Sequence, residues 1–246
     1  MIITLIISLL FGGGNRDLII PQIDKYYKKN VENKDDREAL KLIFREYDTE
    51  KKAYDKAGKK RAKKFQKLQS SSNPSKQDFE ALHAQSIESK LQWNQKSLKI
   101  FSSIKSHLTD IQWDESMVNI DKDIKKHRKS YKKTKDHIFE KVRKTNKRIV
   151  RILKDEKNNK EAIALIQNFE VDIVRIFSEY EEKGEISLNS MLQYSADVET
   201  IKTQEEALDT IGNHFYESYL KAYLELKELL NDEEWKKVKR AFNAVI

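Results

Sequence analysis

Along most of the chain apolar residues recur three and four positions apart, the spacing of one face of an α-helix. Leu40, Ile43, Phe44, Tyr47, Tyr54, Phe65 and Leu68 mark a first long stretch, close to the spacing of coiled-coil packing. It stops at Ser70-Ser71-Ser72-Asn73-Pro74, a turn signal. Ser75 opens a second stretch, with Asp78 three residues on as a variant of the capping box. Its apolar face holds Phe79, Leu82, Ile87, Leu91, Leu98, Phe101, Ile104 and Leu108.

A third stretch, residues 121–154, aligns Ile124, Tyr131, Ile138, Val142, Ile149, Ile152 and Leu153. A fourth runs through Ile166, Phe169, Ile173, Ile176, Phe177 and Tyr180, and Gly184 is expected to end it as a C-cap residue. Helical spacing resumes over 187–230, where Thr203 and Glu206 form a capping-box signature that divides the stretch into two helices or kinks one. A last amphipathic segment carries Trp235, Val238 and Phe242. Upstream, a short helix is expected to begin near Pro21, since proline is best tolerated in a first turn.

Two segments are written twice. Residues 33–43 return as 156–166, with Lys, Glu-Ala and Leu-Ile matching, at a separation of 123 residues (156 − 33). The segment from Leu108 to Trp113 returns from Leu230 to Trp235, at a separation of 122 (230 − 108). Leu98, Phe101 and Ile104 fall at that second separation on Leu220, Tyr223 and Leu226. We therefore expect an all-α protein, an elongated antiparallel bundle of about six long helices built from two duplicated three-helix units. Residues 15–120 form the first unit and 121–246 the second, which includes a basic connecting helix. Trp113 and Trp235 are expected to close the ends of the helical cores.

Composition agrees with long helices: charged residues make up 36% of the 246, and there are only six Gly and two Pro to interrupt them. Residues 2–11 are an almost unbroken apolar run followed by three glycines. About ten helical residues reach roughly 15 Å, half a bilayer's hydrocarbon core. The run is too short to span, but it suits the apolar region of a signal or a membrane anchor, so 1–14 is taken as a leader. No Lys or Arg precedes it and no Ala-x-Ala follows it. On this reading the protein is membrane-associated, periplasmic or secreted; if the run packs into the bundle, it is cytoplasmic.

The formal charge of +8 conceals a segregation. Residues 51–67 hold nine Lys/Arg and one acid, and 122–154 hold fifteen against three. Residues 161–232 reverse the balance, with sixteen Asp/Glu against five Lys/Arg. The basic helices could lie against the acidic ones, meet an anionic membrane, or bind nucleic acid. The residues that would meet an anionic surface are Lys59, Lys60, Arg61, Lys63, Lys64, Lys125, Lys126, Arg128, Lys129, Lys132, Lys133, Arg143, Lys144, Lys147 and Arg148. Lipid headgroups come first and nucleic acid second, because the aromatics in these runs fall on the core face and leave no stacking platform.

Candidate chemistry is sparse. Without cysteine there is no disulfide, thiolate nucleophile or zinc-thiolate site. Glu80 and His83 have the Glu-x-x-His spacing of di-iron bundles, but no second such pair completes a set. Phosphate-cradling glycine loops and Gly-x-Ser-x-Gly are absent. No catalytic residue, metal or cofactor is assigned. The leading expectation is a non-catalytic, exported or membrane-tethered protein that works through protein contacts or self-association in the cell envelope, with no small-molecule substrate. Anionic-surface binding is the alternative.

Overall fold

The computed structural model describes residues 15–71, 74–118, 120–154 and 159–243. Eight helices and no strand occur among them: α1 (Arg16–Asn30), α2 (Lys34–Ser70), α3 (Lys76–Ser106), α4 (Asp110–Met117), α5 (Ile120–Lys154), α6 (Lys160–Leu192), α7 (Val198–Leu229) and α8 (Asp232–Asn243). The fold is all-α, as the periodicity implies. Five helices are long, from 31 residues in α3 to 37 in α2, or roughly 45–55 Å at 1.5 Å per residue. The chain exposes 14101 Å², against roughly 11,000 Å² for a compact globule of its mass; it is an elongated bundle.

Local chemistry sets most helix starts. Asn33 accepts from the Asp35 and Asp36 amides, and Asp197 from those of Glu199 and Thr200. Ser75 with Asp78, and Thr109 with Gln112, form reciprocal capping boxes. Asn231 and Glu234 form a third: the Glu234 amide donates to Asn231 Oδ1 at 3.0 Å and the Asn231 amide to Glu234 Oε2 at 3.0 Å. Each such cap is worth about 1 kcal/mol.

Four expectations fail for identifiable reasons. Pro21 lies inside α1, on its exposed side, because the helix starts at Arg16 rather than at the proline. Gly184 does not end α6; the buried Leu188 and Met191 carry the helix onward, and their packing outweighs the ~1 kcal/mol helix penalty of glycine. Thr203 caps nothing, because α7 already starts at Val198 behind Asp197 and the Thr203 hydroxyl bonds back to the Glu199 carbonyl at 3.0 Å. Leu91 is 47% exposed, while Ser86, Lys90 and Ser97 are buried in its helix. The two serines donate to the carbonyls of Leu82 and Trp93, which lets small polar residues occupy a core face.

Two apolar cores lie along the bundle, and each draws on both expected units. One gathers α1 (Ile19, Ile20, Ile23) with Phe101 and Trp113, and takes Leu188, Met191 and Ile201 from the second half. The other gathers Ile149, Phe177, Tyr219 and Tyr223 with Trp235, and takes Phe65, Phe79 and Leu82 from the first half. Trp113 is fully buried, packs edge-on against Phe101 and donates from Nε1 to the Leu192 carbonyl at 2.9 Å.

Many buried positions repeat at the Trp113-to-Trp235 separation of 122 residues. Phe79, Trp93, Ser97, Ile100, Phe101, Ile104 and Leu108 answer to Ile201, Phe215, Tyr219, Ala222, Tyr223, Leu226 and Leu230, all buried. Leu40, Phe44 and Tyr47 answer to Ala162, Ile166 and Phe169. Ile20, Tyr27 and Val31 answer to Val142, Ile149 and Leu153, so α1 corresponds to the C-terminal half of α5 and the repeating set holds four helices. Contacts between the halves are exchanged as well: Lys105 Nζ donates to the Ala196 carbonyl at 2.7 Å, and its counterpart Lys227 to the Pro74 carbonyl, the counterpart of Ala196, at 3.5 Å. The first doubled segment is therefore displaced by one residue from the structural register. The helix entries also differ: Asn33 caps α2, whereas Asn159 donates to the Leu153 carbonyl (3.3 Å) and to Glu234 Oε1 (3.0 Å). Residues 156–158 of the second copy, and the leader 1–14, lie outside the described residues.

Candidate functional site

The basic candidates lie on two helices, α2 and α5. On α5, Ile124, Ile138, Val142, Ile149 and Leu153 face the core. At 100° per residue, Lys126, Lys129, Lys133, Lys144 and Lys147 then point the other way, and all five are exposed. Residues 125–130 are exposed without a break. The stripe from residue 126 to 147 extends roughly 30 Å along the helix. On α2, Lys59, Lys60, Lys63 and Lys64 are exposed opposite Tyr54, Ala62 and Phe65, and three of them line a shallow groove with Lys52, Asp55 and Lys56. Helix α1 touches both α2 and α5.

Four of the fifteen candidates are engaged within the molecule. Arg128 makes a two-pronged contact with Glu185 of α6, with Nε to Oε1 at 2.8 Å, and this bond raises its pKa. Arg143 reaches Glu170 of α6 at 3.9 Å, and Lys144 pairs with Glu140 on its own helix at 2.5 Å. Arg61 is half-buried with its guanidinium 6.0 Å from the centre of the Tyr54 ring; burial lowers its pKa. Lys135, which was not a candidate, also joins α5 to α6 through Glu181. Basic α5 thus does lie against acidic α6, but along one edge only. The other eleven candidates make no ion pair among the described residues.

The unpaired charges act on one another. Lys125/Lys129 and Lys129/Lys133 are like-charged pairs four residues apart. Each destabilises an exposed helix by about 0.2–0.5 kcal/mol, so together they store up to about 1 kcal/mol that an anionic partner would relieve. The aromatics of these runs are turned inward: Tyr54 is 7% and Phe65 5% exposed. Tyr131 is half-buried, and burial raises its phenol pKa. Glu80 pairs with Lys76 at 3.5 Å, and the His83 ring stacks on Tyr216, so this helix turn is occupied by structural contacts.

A second polar region was not foreseen. Near the start of α1, Arg16 binds Glu205 of α7 at 2.6 Å, and Lys90 of α3 binds Asp209 of α7 at 2.7 Å. Asn94 donates to Asp209 at 2.8 Å, Tyr47 of α2 donates to Asp17 at 2.5 Å, and Lys51 reaches both Asp17 (3.1 Å) and Asp55 (2.7 Å). Arg16 is 1% exposed and Glu205 6%. At the repeat separation the residues corresponding to Arg16, Asp17, Tyr47, Lys51, Asp55, Lys90 and Asn94 are Ile138, Phe139, Phe169, Ile173, Phe177, Gly212 and Tyr216. Glu205 and Asp209 correspond to His83 and Ile87. Every formally charged member of the cluster has an uncharged counterpart.

Burial governs the protonation of this cluster. It raises the Glu205 carboxyl from 4.5 to about 7, against the opposing pull of Arg16, and it lowers Arg16 itself. Both partners shift against their charged forms, so desolvation exceeds their mutual attraction. The Tyr47 phenol is pushed far up by burial and by Asp17. For Lys51, burial pulls downward, but the bonds to Asp55 and Asp17 prevail and the net shift is upward. A sequence signal existed: Lys90 and Glu205 occupy positions in phase with the apolar faces of their helices.

Comparison of the chain with protein-family models, with characterised proteins and with solved structures finds no match.

Proposed function

We propose that this is a non-catalytic helical-bundle protein that binds an anionic surface through the outward stripe of α5, assisted by that of α2, with lipid headgroups as the preferred surface. The observation that carries the reading is the unpaired, self-repelling row Lys126, Lys129, Lys133 and Lys147 on a helix whose opposite side is buried. Each basic residue near an anionic leaflet contributes about 1 kcal/mol, so the four together supply about 4 kcal/mol, roughly a thousandfold in affinity. Nucleic acid is the weaker fit because Tyr54 and Phe65 are spent in the cores and stacking surfaces are missing from the stripes. No helix among the described residues is long and apolar enough to cross a membrane. The apolar run at residues 2–11 would add a second, hydrophobic contact to the same surface, and stable peripheral attachment takes two such signals. Such a tethered protein could also work through protein contacts in a cell envelope.

Sedimentation of the full chain with vesicles tests this. Binding to vesicles containing phosphatidylserine, absent on neutral phosphatidylcholine vesicles and reduced by added salt, is the expected result. Equal binding to both vesicle types, or none to either at low salt, would overturn it.

A further inference from the structure

Helix α6 carries two apolar side chains in the open: Val171 is 66% and Val174 45% exposed. Three residues apart, they share one face of the helix, and with Gln167, Glu170 and Arg175 they line a shallow groove. The packing scheme does not require them. At the repeat separation of 122 residues the matching positions of α2, also exposed, are Thr49 and Lys52. Valine is a weak helix former as well, so the pair gains the helix nothing by standing in water. Grouped and rimmed by polar residues, such side chains point to a contact surface.

What this surface meets follows from its neighbours. Glu170, next to Val171, accepts from Asn146 of α5 at 2.7 Å and lies 3.9 Å from Arg143 of the same helix. The Phe139 ring of α5 packs edge-on against Phe177, three residues beyond Val174, with ring centres 5.3 Å apart. The groove therefore adjoins the stretch of α5 from Phe139 to Lys147, which exposes Arg143, Lys144 and Lys147. The acids within five residues of either valine are Glu170, Asp172 and Glu179. Each has a cationic partner, Arg143 for the first and Arg175 for the other two. An apolar strip beside cations, with its own carboxylates paired, matches an anionic bilayer. There, interfacial helices set apolar residues at the boundary of headgroups and acyl chains. Resting on the lipid reading of α5, we propose that Val171 and Val174 enter that boundary when the basic stripe adsorbs. The lipid-binding surface then combines an apolar contact from α6 with the cations of α5.

The chain contains no cysteine, so Val171→Cys or Val174→Cys creates a single site for an environment-sensitive fluorophore. A third label, at Gln95→Cys on the exposed side of α3, is the control, because that helix packs mainly on α2 and α7. On phosphatidylserine-containing vesicles the labels at 171 and 174 should brighten, shift to the blue and be quenched by nitroxide-bearing acyl chains. The label at 95 should remain in water. Without any label, Val171→Ser combined with Val174→Ser should weaken binding of the full chain to the same vesicles about tenfold, since two apolar side chains lose their burial. Binding that leaves both valine positions in water, or an unchanged affinity of the folded double variant, would overturn the inference while leaving the lipid reading intact. Absence of binding at low salt would remove both. A blue shift that grows with protein concentration in the absence of vesicles would show that a second copy covers the valines, and would overturn it too.

Discussion

Trp113 and Trp235 occupy matching places in the two halves of this bundle, yet their surroundings differ. Trp113 is sealed, donates to the Leu192 carbonyl, and sits in the half whose neighbouring cluster is charged. Trp235 is 8% exposed, packs on Tyr223, and its Nε1 finds no partner among the described residues. The same contrast runs through the molecule. One packing scheme carries Arg16, Lys51, Lys90, Glu205 and Asp209 on one side, and Ile138, Ile173, Gly212, His83 and Ile87 on the other. The geometry of a helical bundle tolerates either chemistry at its core positions, provided that every charge finds an opposite partner. What separates the halves is a buried ionic cluster in one where the other has uncharged residues at the matching positions.

The largest expected effect comes from the tryptophans. Trp113→Ala should destabilise the protein by about 3–5 kcal/mol in urea unfolding, with the loss of its hydrogen bond adding to the cavity. Trp235→Ala should cost less, since its ring is less enclosed and its N–H unpaired. Equal losses would remove this distinction between the halves. Next is Arg16→Ala, which leaves Glu205 buried without its partner and should cost about 3–5 kcal/mol at pH 8. The loss should shrink towards pH 6, where Glu205 can accept a proton. Replacing both partners by the apolar pair Arg16→Met with Glu205→Leu should be close to neutral, because exchanging a buried ion pair for apolar residues of similar volume removes the desolvation cost together with the attraction. A strongly destabilised double variant would mean that the charged half cannot adopt the apolar solution.

Smaller effects test the shared architecture. Thr109→Ala and Asn231→Ala each remove one side of a reciprocal cap at equivalent positions, and each should lower stability by about 1 kcal/mol. At the small end, Gly184→Ala should raise the thermal midpoint, by roughly 0.5–1 kcal/mol of stability, since an added Cβ meets nothing within 4 Å and glycine is a poor residue for a helix interior. A lower midpoint would imply that Gly184 serves a contact that only glycine allows.

Much of this fold is legible in the sequence, for physical reasons that also explain the gaps. Helices are local, so the spacing of Phe79, Leu82, Phe101 and Ile104, and caps such as Ser75 and Thr109, announce themselves. Helix ends fixed by distant packing do not: Leu188 and Met191 draw α6 past Gly184 only because the other half supplies a core to receive them. The outward stripe of α5 follows from periodicity and charge alone. Which of its residues are already engaged does not, because Arg128 and Arg143 meet Glu185 and Glu170 through tertiary contact. The buried cluster was the least legible feature. Arg16, Lys51, Lys90, Glu205 and Asp209 come from four helices, and a charge standing at a core position reads in sequence as a break in the pattern rather than as half of a pair.

The central functional claim is that the free lysines of α5 serve an anionic surface. Its most direct test is the affinity of the full chain for phosphatidylserine-containing vesicles, compared at one salt concentration with a variant carrying Lys126→Gln, Lys129→Gln, Lys133→Gln and Lys147→Gln. These side chains are exposed and unpaired among the described residues, so the variant should keep its helicity and its unfolding midpoint. At about 1 kcal/mol per basic residue, the four substitutions should weaken binding by about a thousandfold. Unchanged affinity in a folded variant would contradict the assignment of this face.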